Sequence, residues 1–227
     1  SETDIRHANL SRANLSETNL TGVNLIKANL TGANLSKANL SKAKLNRAKL
    51  TKANLTSVNL DGSDLRDTDI SEVNLSGSSL KDAFLVGASL SRANLSAANL
   101  TKANLSATNL IGANLSRANL TKVNLVTANL SGANLNDADL TGSNLREANL
   151  FGSSLRGAIL VDVNLSKTNL SEANLIKANL KGVYLSHYGI PNQYRALLIN
   201  TNMTDAITEK IFSSQAVFCR TKTTDEP

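Results

Sequence analysis

The sequence predicts an all-β fold in which the chain turns a corner every five residues and stacks the resulting coils on one another. A large aliphatic residue, almost always leucine, occupies every fifth position from residue 5 to residue 190. A small residue, usually alanine, stands two positions before it, and asparagine usually stands directly before it. Aromatic residues make up only 3% of the 227-residue chain, which argues against an ordinary core of mixed side chains.

Neither a straight helix nor a flat strand accommodates a period of five. In an α-helix, leucines at this spacing would step about 140° around the axis and form no apolar stripe. In a flat strand the two faces alternate, so every second leucine would point outward. A bend once per repeat returns each leucine, with the small residue two before it, to the same inner side. Asn, Asp, Ser, Thr and Gly suit such corners because they bond locally to the backbone or accept unusual dihedral angles.

The repeat resembles that of the pentapeptide-repeat family. The stretches ANLSRANL, TGANLSKANL and LSGANLNDADL match its pattern of a small residue, Asn or Asp, Leu and two variable positions. The match extends from residue 3 to about residue 190. The resemblance implies a right-handed quadrilateral β-helix with four repeats in each coil. Residues that lie four repeats apart in sequence would then be stacked neighbours on one face.

We expect one β-helical domain followed by a short C-terminal segment. Residues 1–190 carry the repeat, residues 191–215 lose it, and residues 216–227 form a tail that we expect to be flexible. An open β-helix end exposes its apolar interior and unpaired backbone groups, and repeat proteins cover such ends with capping elements. We therefore predict that residues 191–215 form an α-helical cap.

The predicted cap contains two helical stretches. The first places three apolar residues on one helical side, namely Tyr194, Leu197 and Leu198. The second would begin at Asn202, an N-cap with Asp205 three positions later. Its apolar stripe would consist of Met203, Ile207 and Ile211. Phe212 or Phe218 would then cover the last coil.

The N-terminal coil shows no comparable cap. Ile5 already belongs to the column of inward residues. Three explanations stay open: a preceding segment was removed, two rods meet end to end, or the first coil frays. An end-to-end homodimer through this uncapped coil is one hypothesis for the oligomeric state.

Sequence features say little about the compartment. No apolar run approaches the roughly 18 residues that cross a membrane, and no signal peptide is visible. Many N-L-S and N-L-T glycosylation acceptors favour a bacterial, cytosolic or plastid setting. We slightly favour the cytoplasm, with the thylakoid lumen or periplasm open if a leader was removed. The stretch VFCRTKTTDEP resembles the tail of cyanobacterial-type family members, but Cys219 is the chain's one cysteine and forms no intrachain disulfide.

The charge pattern supports a protein partner better than nucleic acid. The net charge is +6, and no acid lies between Glu17 and Asp61 while seven basic residues do. On a four-repeat coil these basic residues fall on different sides, and no aromatic residues interleave with them to stack bases. Some family members mimic duplex DNA and protect gyrase, whereas this chain is basic and has no continuous acidic side. The alternative function is a nucleic-acid-related role. The basic residues between Glu17 and Asp61, which form a collar around the rod, would bind nucleic acid, or the protein would modulate a DNA-acting enzyme such as gyrase. The charge pattern supports this alternative less well than a protein partner.

One side of the coil carries an apolar centre between two arginines. Under the four-repeat register, Val86 and Val126 stack on one side with Phe84 beside Val86. Arg66 lies one coil before this centre and Arg146 one coil after it. Such an arrangement is typical of a small protein-binding site. We therefore predict a non-enzymatic scaffold that presents this patch to an unidentified protein.

No residue set predicts a reaction, a cofactor or a metal. His7 and His187 lie near opposite ends of the rod, and neither has a partner at catalytic or ligand spacing. Gly22, Gly32 and Gly112 are corner residues and form no phosphate loop. We predict that the protein is not an enzyme and binds no cofactor.

Overall fold

The computed structural model describes residues 3–185, 196–208 and 216–223. Over residues 3–185 each repeat makes one parallel bridge to the repeat 20 residues later, beginning with Asp4 and Asn24 and ending with Asn164 and Tyr184. One coil therefore contains four repeats, as the resemblance to the pentapeptide-repeat family implies. We number the four faces 1 to 4 after the inward residues with which they begin, which are Ile5, Leu10, Leu15 and Leu20.

The interior is a column of leucines with small residues between them. From Val23 to Leu185 both inward positions of every repeat are buried. In the first coil the inward residues are only partly buried, because no coil lies beneath them in the described residues. Burial of each leucine contributes roughly 1.5–3 kcal/mol before conformational entropy is subtracted, so the repeated column accounts for the stability of the rod.

Every corner is a tight turn in which the second of the two central residues has a left-handed backbone conformation. From His7 to Gly182 this residue has φ between 54° and 70°. The turn closes with a backbone bond such as Ala13 N to Leu10 O, 3.1 Å. A positive φ at this position alone is the signature of a type II turn, which favours glycine. Glycine nevertheless fills only 11 of these corners, and 25 carry side chains, mostly charged ones that point into solvent.

The asparagine before each leucine ties its own corner and the neighbouring coil together. Asn94 Oδ1 accepts the backbone N–H of Ser96 at 3.2 Å and the side-chain amide of Asn114 at 3.2 Å. The first bond stabilises the turn and the second forms a ladder along the rod. Asparagine is suited to this slot because its side chain both donates and accepts.

The predicted α-helical cap is wrong for the residues that the structure describes, since none of them is helical. Two strands, β1 (Ala196–Ile199) and β2 (Ala216–Cys219), lie where the cap and the tail were expected and pair in parallel. Leu197 pairs with Asn169, a separation of 28 residues instead of 20. The coil therefore resumes after eight additional residues.

The segment predicted to begin a helix at Asn202 is a continuation of the coil. Asn202 bridges Asn174 and Lys222, Met203 is buried, and Ile207 is 48% exposed and bridges Asn179. Asp205 has φ 56°, which a right-handed helix excludes. The open end of a coil exposes unpaired backbone groups and an apolar interior. A further coil forms hydrogen bonds with the first and covers the second.

The first helical stretch is wrong for the same reason. Leu198 is buried while its neighbour Leu197 is 38% exposed, which is the alternation of a strand. Tyr194, Ile211 and Phe212 lie outside the described residues, as does Ile190 at the end of the predicted column. Phe218 lies in β2, where only the backbone is described.

Candidate functional site

Face 1 departs from the regular outward pattern. On face 3 the slot before leucine holds asparagine in seven successive coils, from Asn14 to Asn134. On face 1 the same slot holds Lys44, Asp64 and Phe84 in three successive coils. The Phe84 side chain cannot join the amide ladder and is 49% exposed. Face 1 therefore presents chemistry that the fold does not require.

The structure places all five residues of the predicted partner patch on face 1. The bridges from Asp64 through Phe84, Asn104 and Asn124 to Asn144 fix their register. Three members lie in adjacent coils and are brought together: Arg66, Phe84 and Val86. The other two are separated from them by the coil that carries Asn104 and Ser106: Val126 and Arg146. The N-terminal half of the predicted patch therefore brings its residues together, whereas the C-terminal half lies beyond an intervening coil.

Arg66 is fixed against its own strand by Asp64. The guanidinium donates from Nε to Oδ1 at 2.9 Å and from Nη2 to Oδ2 at 2.6 Å. Partial burial by itself raises the pKa of the Asp64 carboxyl, but hydrogen bonds from Arg66 and Asn46 outweigh it and hold the pKa below its ordinary value. The carboxylate stays charged near neutral pH and orients the guanidinium along the face.

Arg146, at the other end of the patch, has a different environment. Its Nη2 lies 3.2 Å from Glu147 Oε1, which also accepts from Lys167 Nζ at 3.0 Å. The hydrogen bond from Lys167 lowers the pKa of Glu147. The two arginines are therefore both ion-paired, and Arg66 has the bidentate geometry that fixes a guanidinium more strongly.

Two shallow grooves meet at Arg66. One, of about 320 Å³, is lined by Lys42, Lys44, Gly62, Asp64, Arg66 and Phe84. The other, of about 310 Å³, is lined by Ile26, Lys27, Asn46, Arg47, Arg66 and Asp67. They lie along the two edges of face 1, so the guanidinium of Arg66 stands between them. This pair of grooves is the candidate site.

The predicted patch contained two of the residues that line the grooves, Arg66 and Phe84. It left out nine, namely Ile26, Lys27, Lys42, Lys44, Asn46, Arg47, Gly62, Asp64 and Asp67. The signal was present, because Ile26, Asn46, Arg66 and Val86 are successive members of one 20-residue register. When the charged residues are followed along one face instead of around the rod, Lys44, Asp64 and Phe84 occupy the same slot in three successive coils.

Side chains of opposite charge are stacked on one another in adjacent coils, as the 20-residue register predicts. Arg47 lies 3.8 Å from Asp67, one coil apart, and Lys37 lies 3.1 Å from Glu17. Glu72 lies 3.5 Å from Arg92, one coil further along the rod. These pairs are exposed and contribute at most about 1 kcal/mol each. Their main effect is to set the local charge of each coil.

The described residues contain no group of three His, Cys, Asp or Glu side chains that could hold a metal ion. His7 is exposed in the first coil. His187 lies outside the described residues, and only the backbone of Cys219 is described. In the same ranges no helix has the length and apolar character of a membrane span.

Comparison with solved structures finds similar rods. HetL, a pentapeptide repeat protein involved in heterocyst differentiation regulation from the cyanobacterium Nostoc sp. strain PCC 7120, is 33% identical, with a TM-score of 0.73 over 92% of this chain and 90% of that chain. Full-length QnrB1, a plasmid-mediated fluoroquinolone resistance protein, is 14% identical, with a TM-score of 0.50 over 98% of this chain and 92% of that chain. The latter likeness concerns the fold alone.

A shorter match is to a pentapeptide repeat protein from the Arabidopsis thaliana thylakoid lumen. It is 35% identical over 48% of this chain and 69% of that chain, with a TM-score of 0.36. No curated protein matches the chain. The family model for pentapeptide repeats matches in eight copies, at residues 1–36, 33–71, 68–106, 98–137, 108–147 and 148–186. The chain therefore belongs to the pentapeptide-repeat family, whose members fold as right-handed quadrilateral β-helices.

Proposed function

We propose that this protein is a non-enzymatic scaffold whose face 1 binds a protein partner. The observation that carries the proposal is the exposed Phe84 in a slot that most repeats fill with asparagine. An aromatic side chain beside a fixed arginine is the composition of a binding hot spot. The stacked coils hold both residues on a rigid wall, so little conformational entropy is lost when a partner binds.

The proposed patch is the predicted one, namely Arg66, Phe84, Val86, Val126 and Arg146. Val86 and Val126 are half-buried and supply apolar surface along the face. Arg66 and Arg146 are the charged ends, and each is more than half exposed. The involvement of HetL in differentiation control supports a regulatory scaffold, because that relative has the same rod over nine-tenths of its length.

Affinity capture tests the proposal. The immobilised protein is compared with the variant Arg66→Glu/Phe84→Ala in a lysate of the native host. The matched control is Arg92→Glu/Ile111→Ala, which makes the same charge reversal and removes an exposed aliphatic residue on face 2. We expect the face 1 variant alone to lose a captured protein. Equal capture by all three proteins would contradict the proposal.

The basic collar favours a second candidate, a nucleic-acid-related role. Seven basic residues and no acid lie between Glu17 and Asp61. Four of the basic residues occupy four different corners, namely Lys37, Lys42, Arg47 and Lys52. Phosphate binding must weaken steeply with salt, so retention on a DNA column at several salt concentrations separates the two functions. Retention that resists the Arg66→Glu/Phe84→Ala change and falls steeply with salt would favour this alternative.

The first coil supports an end-to-end homodimer. Its inward residues are only partly buried, and they are Ile5, Leu10, Leu15 and Leu20. The outer edge of this coil also carries strand backbone that can pair with another chain. Sedimentation at micromolar concentration tests the dimer. A single species at the 24.0 kDa of one chain would contradict it.

A further inference from the structure

We infer that the face 1 grooves bind an extended acidic peptide that carries two apolar side chains four residues apart. This inference rests on the proposed function, because it names the partner chemistry of the same face. It narrows the site to the two grooves around Arg66 and leaves Val126 and Arg146 outside it. The peptide is a segment of another protein, and it lies parallel to the rod axis.

The spacing of the apolar residues sets the peptide register. Ile26 and the pair formed by Phe84 and Val86 lie three coils apart on face 1. At the strand spacing this separation is about 14 Å. An extended peptide covers roughly 13 Å in four residues, and side chains four residues apart project on the same side. One apolar side chain of the peptide therefore contacts Ile26 when the other contacts Val86 and the neighbouring Phe84.

The charge between the two apolar points selects acidic residues. The groove linings contain five basic and two acidic residues, a net charge of +3. Both carboxylates already face cations, since Asp64 binds Arg66 and Asp67 lies 3.8 Å from Arg47. Glutamate or aspartate between the apolar side chains of a peptide would lie over Arg66. Such complementarity fixes register and accelerates association.

Arg66 is prepared for a second carboxylate. Its Nε and Nη2 donate to Asp64, and no described hydrogen bond uses Nη1. The bidentate pair holds the guanidinium plane before any ligand arrives, so a peptide carboxylate at Nη1 orders no further arginine torsions. The rigid corners on each side prevent the grooves from collapsing.

The same observations disfavour nucleic acid at this site. Phe84 is the one aromatic residue in the grooves, whereas single strands are bound by several aromatic side chains on which successive bases stack. Apolar residues at both ends fit peptide side chains better than a sugar–phosphate backbone.

Fluorescence anisotropy with synthetic peptides tests the inference. The probe is a labelled peptide with phenylalanine and leucine four residues apart and glutamates between them. Control probes place the two apolar residues three apart, or replace the glutamates by lysines, and a fourth probe is labelled oligothymidylate. We expect the first peptide to bind at least about tenfold more tightly than the other three, with an affinity that falls as salt is added.

Two variants and two matched controls locate the binding. Phe84→Asn restores the asparagine that most repeats carry in this slot, and Arg66→Gln removes the central charge. Each should weaken binding about tenfold. Ile111→Ser and Arg92→Gln make comparable changes on face 2 and should leave affinity unchanged. Thermal unfolding of every variant confirms that the rod is intact.

The outcomes separate this inference from the proposed function. Equal binding of the differently spaced peptides, or no binding at millimolar concentration, overturns the peptide chemistry. If face 1 variants still lose a captured protein in that case, the scaffold function stands. Tighter binding of oligothymidylate, weakened by the same variants, assigns the grooves to nucleic acid and overturns the inference. If the peptide affinity is the same in the Phe84→Asn and Arg66→Gln variants as in the unchanged protein, the peptide does not bind in the grooves and the inference is overturned.

Discussion

Face 1 and face 3 are built on the same interior but differ on the outside. Inward, both repeat leucine and a small residue at every coil, and Leu85 and Leu115 are equally buried. Outward, face 3 keeps asparagine before its leucine from Asn14 to Asn134, whereas face 1 changes to Lys44, Asp64 and Phe84. The interior therefore maintains the coil, and the outward slots are free to vary. Function is most expected where an outward slot departs from the pattern.

The largest test of this comparison concerns the shared interior. Leu85→Ala on face 1 and Leu115→Ala on face 3 should each lower the free energy of unfolding by about 2–5 kcal/mol, because both remove a fully buried side chain. The two losses should agree within about 1 kcal/mol. Thermal unfolding followed by circular dichroism measures both. A much smaller loss at Leu85 would mean that face 1 has a different core.

The outward slots should behave in opposite ways. Asn114→Ala removes bonds to Asn94, Ser116 and Asn134, and we expect a loss of about 1–2 kcal/mol. Phe84→Asn supplies an acceptor for the Val86 N–H and a partner for Asn104, so it should add about 0.5–1 kcal/mol. Denaturant unfolding measures both changes. A destabilised Phe84→Asn protein would show that phenylalanine contributes to the fold itself.

The small inward slots provide a finer contrast. Ser143 on face 1 is buried and its Oγ has no hydrogen-bond partner, whereas Ser153 Oγ on face 3 donates to Leu150 O at 2.8 Å. Ser143→Ala should raise the free energy of unfolding by about 1 kcal/mol, because it removes an unsatisfied buried hydroxyl. Ser153→Ala should give no such gain. Equal shifts in melting temperature for the two variants would refute this reading.

The corners should show the smallest effect and no difference between faces. Ala107 follows face 1 and Ala97 follows face 3, with φ of 54° and 55°. Replacing either alanine by glycine relieves left-handed strain but loosens the unfolded chain, so we expect a net gain of about 0.5 kcal/mol. Melting temperatures of the two variants measure it. A gain on one face only would indicate that the corners also differ.

The candidate site was only partly predictable from the sequence. Phe84 and Arg66 stand out because they break a regular register, and their common face follows from counting four repeats. The contact of Arg66 with Asp64, and the grooves beside it, depend on side-chain torsions that the register does not determine. Lys42 and Lys44 were counted only among the basic residues between Glu17 and Asp61, because the groove that they line depends on side chains of adjacent coils.

The C-terminal segment shows why a local pattern can mislead. Asn202 and Asp205 look like a helix cap, and Met203 and Ile207 have helical spacing. The same stretch also has Leu198 and Met203 five apart, each preceded two residues earlier by a small residue, Ala196 or Thr201. Backbone groups at the end of the last regular coil favour pairing over an isolated helix, and this tertiary effect decided the outcome.

The sequence by itself determined that the chain bends at each repeat, because a single aliphatic residue every five positions can be buried only in that way. The resemblance to the pentapeptide-repeat family added the four repeats in each coil, and with them which outward residues share a face. The tertiary structure alone decided that the coil resumes at Ala196, that Asp64 fixes Arg66, and that grooves flank this pair. Those features depend on contacts between coils, and the free energy of such contacts is not contained in any one repeat.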